Sequence, residues 1–208
     1  MSEQRAVPPI ADPAALGLAG FALTTFVLSA HNAGWAPDVV WIGLALFYGG
    51  VAQFMAGMWE FRKGNTFGAT AFGSYGAFWL SLATFSLLAL FGKVPETALP
   101  NSLGWFLLAF AIFNSYMLLW STRVNLGVFG VFLTLEATEI LLVIGLLGGA
   151  TQVVKIGGYV GVFTAAVAWY VSAAVIINSL SARPVLPVGG HLWSAARGGA
   201  APRPFPTT

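Results

Sequence analysis

Apolar residues run along this chain in long blocks, with charged positions gathered between the blocks rather than alternating within them. Stretches free of Asp, Glu, Lys and Arg cover 13–37, 39–59, 64–92, 97–122 and 156–182, and 124–154 would join them but for Glu136 and Glu139. A helix rising about 1.5 Å per residue needs about 20 apolar residues to cross a hydrocarbon core of roughly 30 Å, so every block is long enough. The pattern predicts an all-α integral membrane bundle of six spans, Pro13–Ala33, Val39–Trp59, Phe67–Phe91, Asn101–Trp120, Leu126–Leu147 and Ile156–Asn178. Asp12 before Pro13 opens the first helix: the carboxylate caps free backbone N–H groups, and proline at the first helical position gives up a donor that had no partner. His31-Asn32-Ala33-Gly34 closes it.

Composition agrees. Of 208 residues 58% are apolar and only sixteen are charged, nine basic and seven acidic, too few to cover a soluble surface. The first apolar run begins at a helix cap rather than after a basic stretch, which argues against a cleaved signal peptide. Arg5, Arg62, Lys63, Arg123, Arg183, Arg197 and Arg203 fall on one side of the expected bundle and Lys93 and Lys155 on the other. That bias places both termini in the cytoplasm. The expected organisation is an N-terminal cytoplasmic segment, 1–11, a membrane domain, 12–182, and a tail, 183–208, whose Pro, Gly and Ala give it no apolar periodicity and so predict disorder.

There is no cysteine, which excludes disulfides, thiolate metal sites and cysteine nucleophiles. The net charge of +2 is dispersed, so no nucleic-acid face is expected. The spans hold no Lys or Arg but do hold Thr24, Thr25, Gln53, Thr70, Ser74, Tyr75, Asn114, Ser115, Tyr116, Thr134, Glu136, Thr138, Glu139, Thr164 and Asn178. Histidine occurs only at positions 31 and 191, so no Ser-His-Asp set is available; no metal spacing and no phosphate-cradling loop is present. Enzyme chemistry, a cofactor and a metal are therefore not expected. A lining of hydroxyls, amides and rings instead suits a small solute held weakly enough to be released. Most single hydroxyls in such spans bond their own helix, and most of the glycines serve close packing between helices.

Glu136 and Glu139 stand apart. A carboxylate at mid-span costs about 2.5–3.5 kcal/mol when it faces lipid, so these two must point inward, pair with neighbours or carry a proton. At a spacing of three they share one side of a helix. They are candidates for proton movement or for contacts between helices or subunits.

The opening Asp12-Pro13-Ala14-Ala15-Leu16-Gly17-Leu18, followed by Gly20-Phe21, Thr24-Thr25 and His31-Asn32, resembles the signature of the acetate uptake transporter family, which includes bacterial succinate–acetate permeases and fungal ammonia/acetate exporter-type proteins. Phe47-Tyr48-Gly49-Gly50, Ala52-Gln53, Ala56-Gly57, Glu60, Lys63-Gly64-Asn65-Thr66-Phe67-Gly68 and Ser74-Tyr75-Gly76-Ala77-Phe78-Trp79 continue the resemblance in order. The chain departs from it at Asp12 and Ala15, where the family has Asn and a second Pro.

The resemblance implies a multi-pass cell-membrane protein and a homohexamer whose protomers each carry a pore narrowed by a Phe, a Tyr and a Leu. By motif these fall on Phe21, Tyr75 and Leu133. It also implies acetate as substrate, with succinate, lactate or formate in some members, and coupling to protons. Thr24, Thr25, Gln53, Asn65 and Ser74 are then the expected polar positions along the path, with one of the two threonines sharing the face of Phe21. Glu136, three residues past Leu133, is the favoured proton site and Glu139 its neighbour. The uncharged lining would equally suit a channel for ammonia, urea or carbon dioxide, and a non-transporting scaffold is the third reading.

Overall fold

The structure, a computed structural model, describes residues 10–193. These form helices α1 (Ala14–Asn32), α2 (Val40–Leu46), α3 (Gln53–Lys63), α4 (Thr66–Leu90), α5 (Leu99–Ser121), α6 (Leu126–Leu147) and α7 (Thr151–Ser179). A π-helical segment, Phe47–Ala52, joins α2 to α3 into one crossing, and a short turn of 3-10 helix, Glu96–Ala98, leads into α5. Among the described residues six helical stretches are long and apolar enough to cross a membrane, as the block pattern predicts.

The expected starts are corrected at two spans: the fourth stretch reaches back to Glu96, and the sixth begins at Thr151, so Lys155 lies within its first turns. The second span departs most from expectation. It is interrupted by the π segment where Gly49 and Gly50 bring the backbone against α1. A Cβ on Gly49 would lie 2.6 Å from Thr24 Oγ1, and one on Gly20 would lie 2.6 Å from the Tyr48 carbonyl oxygen. Only glycine allows that approach, and widening the helix by one residue per turn re-aims the side chains that follow.

The crossings close into a ring in which α1 packs on α7, α7 on α6, α6 on α5, and α4 on α3, with the π segment and α3 returning to α1. The backbones of α4 and α5 scarcely approach each other. Aromatic side chains fill that gap: Phe78 stacks on Phe106 at 5.1 Å and meets Phe110 at 4.8 Å, while Tyr75 meets Phe113 at 5.5 Å. Such rings hold two helices together where lipid offers no apolar driving force.

The tail differs from expectation over its first part. Residues 183–193 fold back along the end of the bundle where α1 and α6 begin and α7 ends. Asn178 grips this strap with both ends of its amide, accepting from the N–H groups of Val185 at 2.7 Å and Leu186 at 3.1 Å and donating to the Leu186 carbonyl at 2.9 Å. Tyr170 donates to the Pro187 carbonyl at 2.7 Å, Gly127 N–H to the Val188 carbonyl at 2.8 Å, and the Arg123 guanidinium lies 5.1 Å from the centre of the Trp193 ring. The segment lacks apolar periodicity, yet its backbone groups find partners on helices fixed elsewhere. The rest of the expected tail, 194–208, and residues 1–9 of the expected N-terminal segment lie outside the described residues.

Candidate functional site

Two cavities lie inside the ring, one toward each end of the bundle. The first, about 260 Å³, opens at the end where α1 begins and the 183–193 segment lies, and is lined by Asp12, Gln53, Lys63, Asn65, Asn125 and Asn178 together with apolar groups. The second, about 520 Å³, opens at the opposite end past His31, Asp38 and Glu96 and reaches inward to Thr25, Thr138 and Glu139. They have three lining residues in common, Phe21, Tyr75 and Leu135, one each from α1, α4 and α6. All three are buried. Phe21 and Tyr75 meet edge to face, with ring centroids 5.8 Å apart.

The expected ring is therefore corrected at one position. Leu133 is 47% exposed on the outer side of α6 and lines neither cavity, whereas Leu135, at 7%, lines both. Two residues along a helix rotate a side chain by about 200°, so an error of two in register exchanges inside for outside. The same rotation corrects the two carboxyls. Glu136 lines neither cavity, whereas Glu139, four residues past Leu135 and on its face, lines the second.

The polar positions divide likewise. Thr25 lines the second cavity, Gln53 and Asn65 the first, while Thr24 and Ser74 line neither. Thr24 is fully buried against Gly49, its neighbour across the π segment, and Ser74 is half-buried. Asp12 Oδ1 accepts from Ala14 N–H at 3.0 Å, the expected cap, and also pairs with Lys63 Nζ at 2.7 Å.

Asn65 caps α4 through Gly68 N–H at 3.1 Å, and Asn125 caps α6 through Val128 N–H at 2.8 Å. The N-terminal ends of α1, α4 and α6 thus face the first cavity together and lend it a positive field. Asn125 escaped the sequence reading although it precedes its helix just as Asn65 does. Glu60 was also unassigned. It is fully buried behind Asn65, and a Cβ on Gly68 would lie 2.6 Å from Asn65 Nδ2 and 2.9 Å from Glu60 Cδ.

Around the ring the polar groups connect. Tyr75 Oη lies 2.9 Å from Asn114 Oδ1 and 3.3 Å from Glu139 Oε1. Asn114 Nδ2 donates to the Phe132 carbonyl at 3.0 Å and to Glu136 Oε2 at 2.6 Å. The Ser115 hydroxyl stands between Glu136 Oε1, 2.8 Å away, and the Ala111 carbonyl, 2.9 Å away. On the other flank Thr138 and Thr164 join hydroxyls at 3.1 Å. Asn114, fully buried, is the hinge of this network and was not singled out from the sequence.

The bundle of six apolar helices surrounds two cavities that meet at three bulky side chains, and residues 2–189 match the family described as GPR1/FUN34/yaaH. The chain belongs to the GPR1/FUN34/yaaH family. It is 38% identical over 183 residues to the succinate-acetate/proton symporter SatP of Escherichia coli strain K12, covering 86% of this chain and 96% of that protein. It is 43% identical over 173 residues to ammonia transport outward protein 2 of Saccharomyces cerevisiae, covering 79% of this chain and 61% of that longer protein. The solved structure of the bacterial acetate channel SatP superposes with a TM-score of 0.83 at 37% identity, over 86% of this chain and 99% of that one. The GPR1/FUN34/yaaH assignment and the six crossings make the chain a multi-pass membrane protein.

Proposed function

We propose that this chain carries acetate and related small carboxylates, succinate among them, across a cell membrane together with protons, each protomer having its own path. The observation that carries this reading is the meeting of the two cavities at Phe21, Tyr75 and Leu135. A ring of large apolar groups bars hydrated ions and admits a small solute that has shed its water. The names of the bacterial relatives, an acetate channel and a succinate-acetate/proton symporter, supply the substrate class.

The lining suits an acid. Three helix N-terminal ends draw a carboxylate into the first cavity, where the charge of Lys63 is matched by Asp12, while Asn65, Asn125 and Gln53 offer neutral amides that do not trap it. With both termini in the cytoplasm, the first cavity is the cytoplasmic vestibule and the second the outer one. Proton-site roles for Glu136 and Glu139 belong to the same reading, and Glu139 is the carboxyl on the path.

Assembly as a homohexamer has support in Glu136. Its carboxyl, with Ser115, reaches the outer side of α5 and α6 among the exposed side chains of Ile112, Tyr116 and Ile140. A carboxylate at that depth is costly against lipid, so another protomer is the fitting cover.

Uptake of labelled acetate into vesicles holding the purified protein, with and without an imposed pH gradient, tests the reading. Uptake that rises with an inward proton gradient is expected. The second reading is a channel for a neutral solute such as ammonia, urea or carbon dioxide, favoured by the uncharged ring and by the yeast relative's name. It requires ammonia permeation without acetate uptake in the same vesicles.

A further inference from the structure

The hydrogen-bond network beside the ring constrains where one proton can reside. The Phe132 carbonyl can only accept, so the Asn114 group 3.0 Å from it is the amide nitrogen. That nitrogen's two hydrogens go to Phe132 and to Glu136 Oε2. Asn114 Oδ1 is then turned toward Tyr75 and can only accept, which engages the single hydrogen of the tyrosine hydroxyl at 2.9 Å. What Tyr75 has left for Glu139 is a lone pair. Glu139 Oε1 lies 3.3 Å from it, and two lone pairs there would repel unless a hydrogen stands between them. With the Tyr75 hydrogen engaged by Asn114, the hydrogen that fits there is one on Glu139. Its other oxygen is buried with no hydrogen-bond partner, which also disfavours a bare charge.

We propose that Glu139 is the proton-holding carboxyl of the path and that its proton decides whether the gate hydroxyl of Tyr75 bonds Asn114 or Glu139. With the proton in place the donors run in one direction, Glu139 to Tyr75 to Asn114 to Glu136, and Glu136 ends the chain as acceptor. When Glu139 yields its proton to a carboxylate in the second cavity, its O–H bond breaks and an O–H bond forms on the permeant. The Glu139 carboxylate then takes the Tyr75 hydrogen from Asn114, and the reverse transfer restores the first arrangement. Tyr75 also forms the ring, so the gate senses which carboxyl holds the proton.

The titratable groups facing Glu139 are Glu136 on its own helix and Tyr75 from α4, with His31, Asp38 and Glu96 at the mouth of the same cavity. From α7 the nearest polar group is the Thr164 hydroxyl, which joins Thr138 on the same helix as Glu139.

The functional consequence rests on the proposed movement of an acid with a proton, but the location of the proton does not, and infrared spectroscopy reads it without transport. In reconstituted protein at neutral pH, the carboxylic C=O band should lose one component in Glu139→Gln and keep it in Glu136→Gln. In Tyr75→Phe that component should persist at a shifted frequency, because the acceptor of its hydrogen is gone. Glu60→Gln identifies any component due to the buried Glu60. A band unchanged in Glu139→Gln, or a Glu139 component unmoved in Tyr75→Phe, overturns the proposal. A band that behaves as expected in protein that takes up no acetate upholds the proton's place and sinks the proposed function instead.

Discussion

Phe21 presents its ring to Tyr75 edge to face, at 5.8 Å between centroids and 68° between planes, on the boundary shared by both cavities. The two rings together separate one cavity from the other, and Leu135 completes the barrier. Opening this contact by side-chain truncation should enlarge the passage without changing the polar groups on either side. Leu135→Ala is expected to raise succinate and lactate uptake several-fold relative to acetate. Leu133→Ala, on the outer side of the same helix, should leave that ratio unchanged. Competition assays in vesicles, with assembly checked by size, measure both.

Close backbone contacts predict where the bundle tolerates nothing larger than glycine. A Cβ on Gly76 would stand 2.6 Å from the backbone nitrogen of Phe54, which cannot move independently of α3. Gly76→Ala should destabilise the protein by about 1–3 kcal/mol. Gly43, with open space at its Cβ position, should accept alanine without loss. Thermal unfolding in detergent would compare the two.

Asn65 and Asn125 each hold a backbone N–H at the start of a helix that opens on the first cavity. Asn65→Ala should cost about 1 kcal/mol of stability through the lost cap. Asn65→Asp should keep the cap and slow acetate uptake, because a fixed negative charge opposes an anion in that cavity. Equal uptake by the two variants at matched protein stability would contradict a substrate path past Asn65.

The strap of 183–193 depends on Asn178, whose amide makes three hydrogen bonds to it. Asn178→Ala should release the strap while the spans hold. Amide exchange at Val185 and Leu186 should then rise tenfold or more, which corresponds to about 1.4 kcal/mol for each factor of ten, with exchange in the α1 core unchanged.

Much of this architecture is legible in the chain. The spacing of charges locates the crossings, the Asp12 cap opens α1, and the motif around Tyr75 places that residue on the ring. What failed was rotation about the axis of α6. Apolar residues surround that helix because its outer side also lies in an apolar setting, so the pattern that would separate Leu133 from Leu135 is absent. Glu136 followed Leu133 into the same error, and only packing against Asn114 tells it from Glu139. The strap escaped because its order comes from Asn178, Tyr170 and Gly127, residues distant in the chain whose partners are backbone groups that any sequence would carry. The π segment escaped because apolar length alone cannot distinguish a continuous span from one interrupted at Gly49 and Gly50.

The central claim is that acetate passes through the protomer at the ring of Phe21, Tyr75 and Leu135, and Leu135→Trp tests it most directly. The larger side chain should fill the space between the two cavities while leaving Lys63 and Asn65 in place. Labelled acetate flux should then fall to the level of protein-free vesicles in an assembly of normal size and unfolding temperature. Flux equal to that of the unaltered protein, in vesicles of equal protein content, would contradict the path.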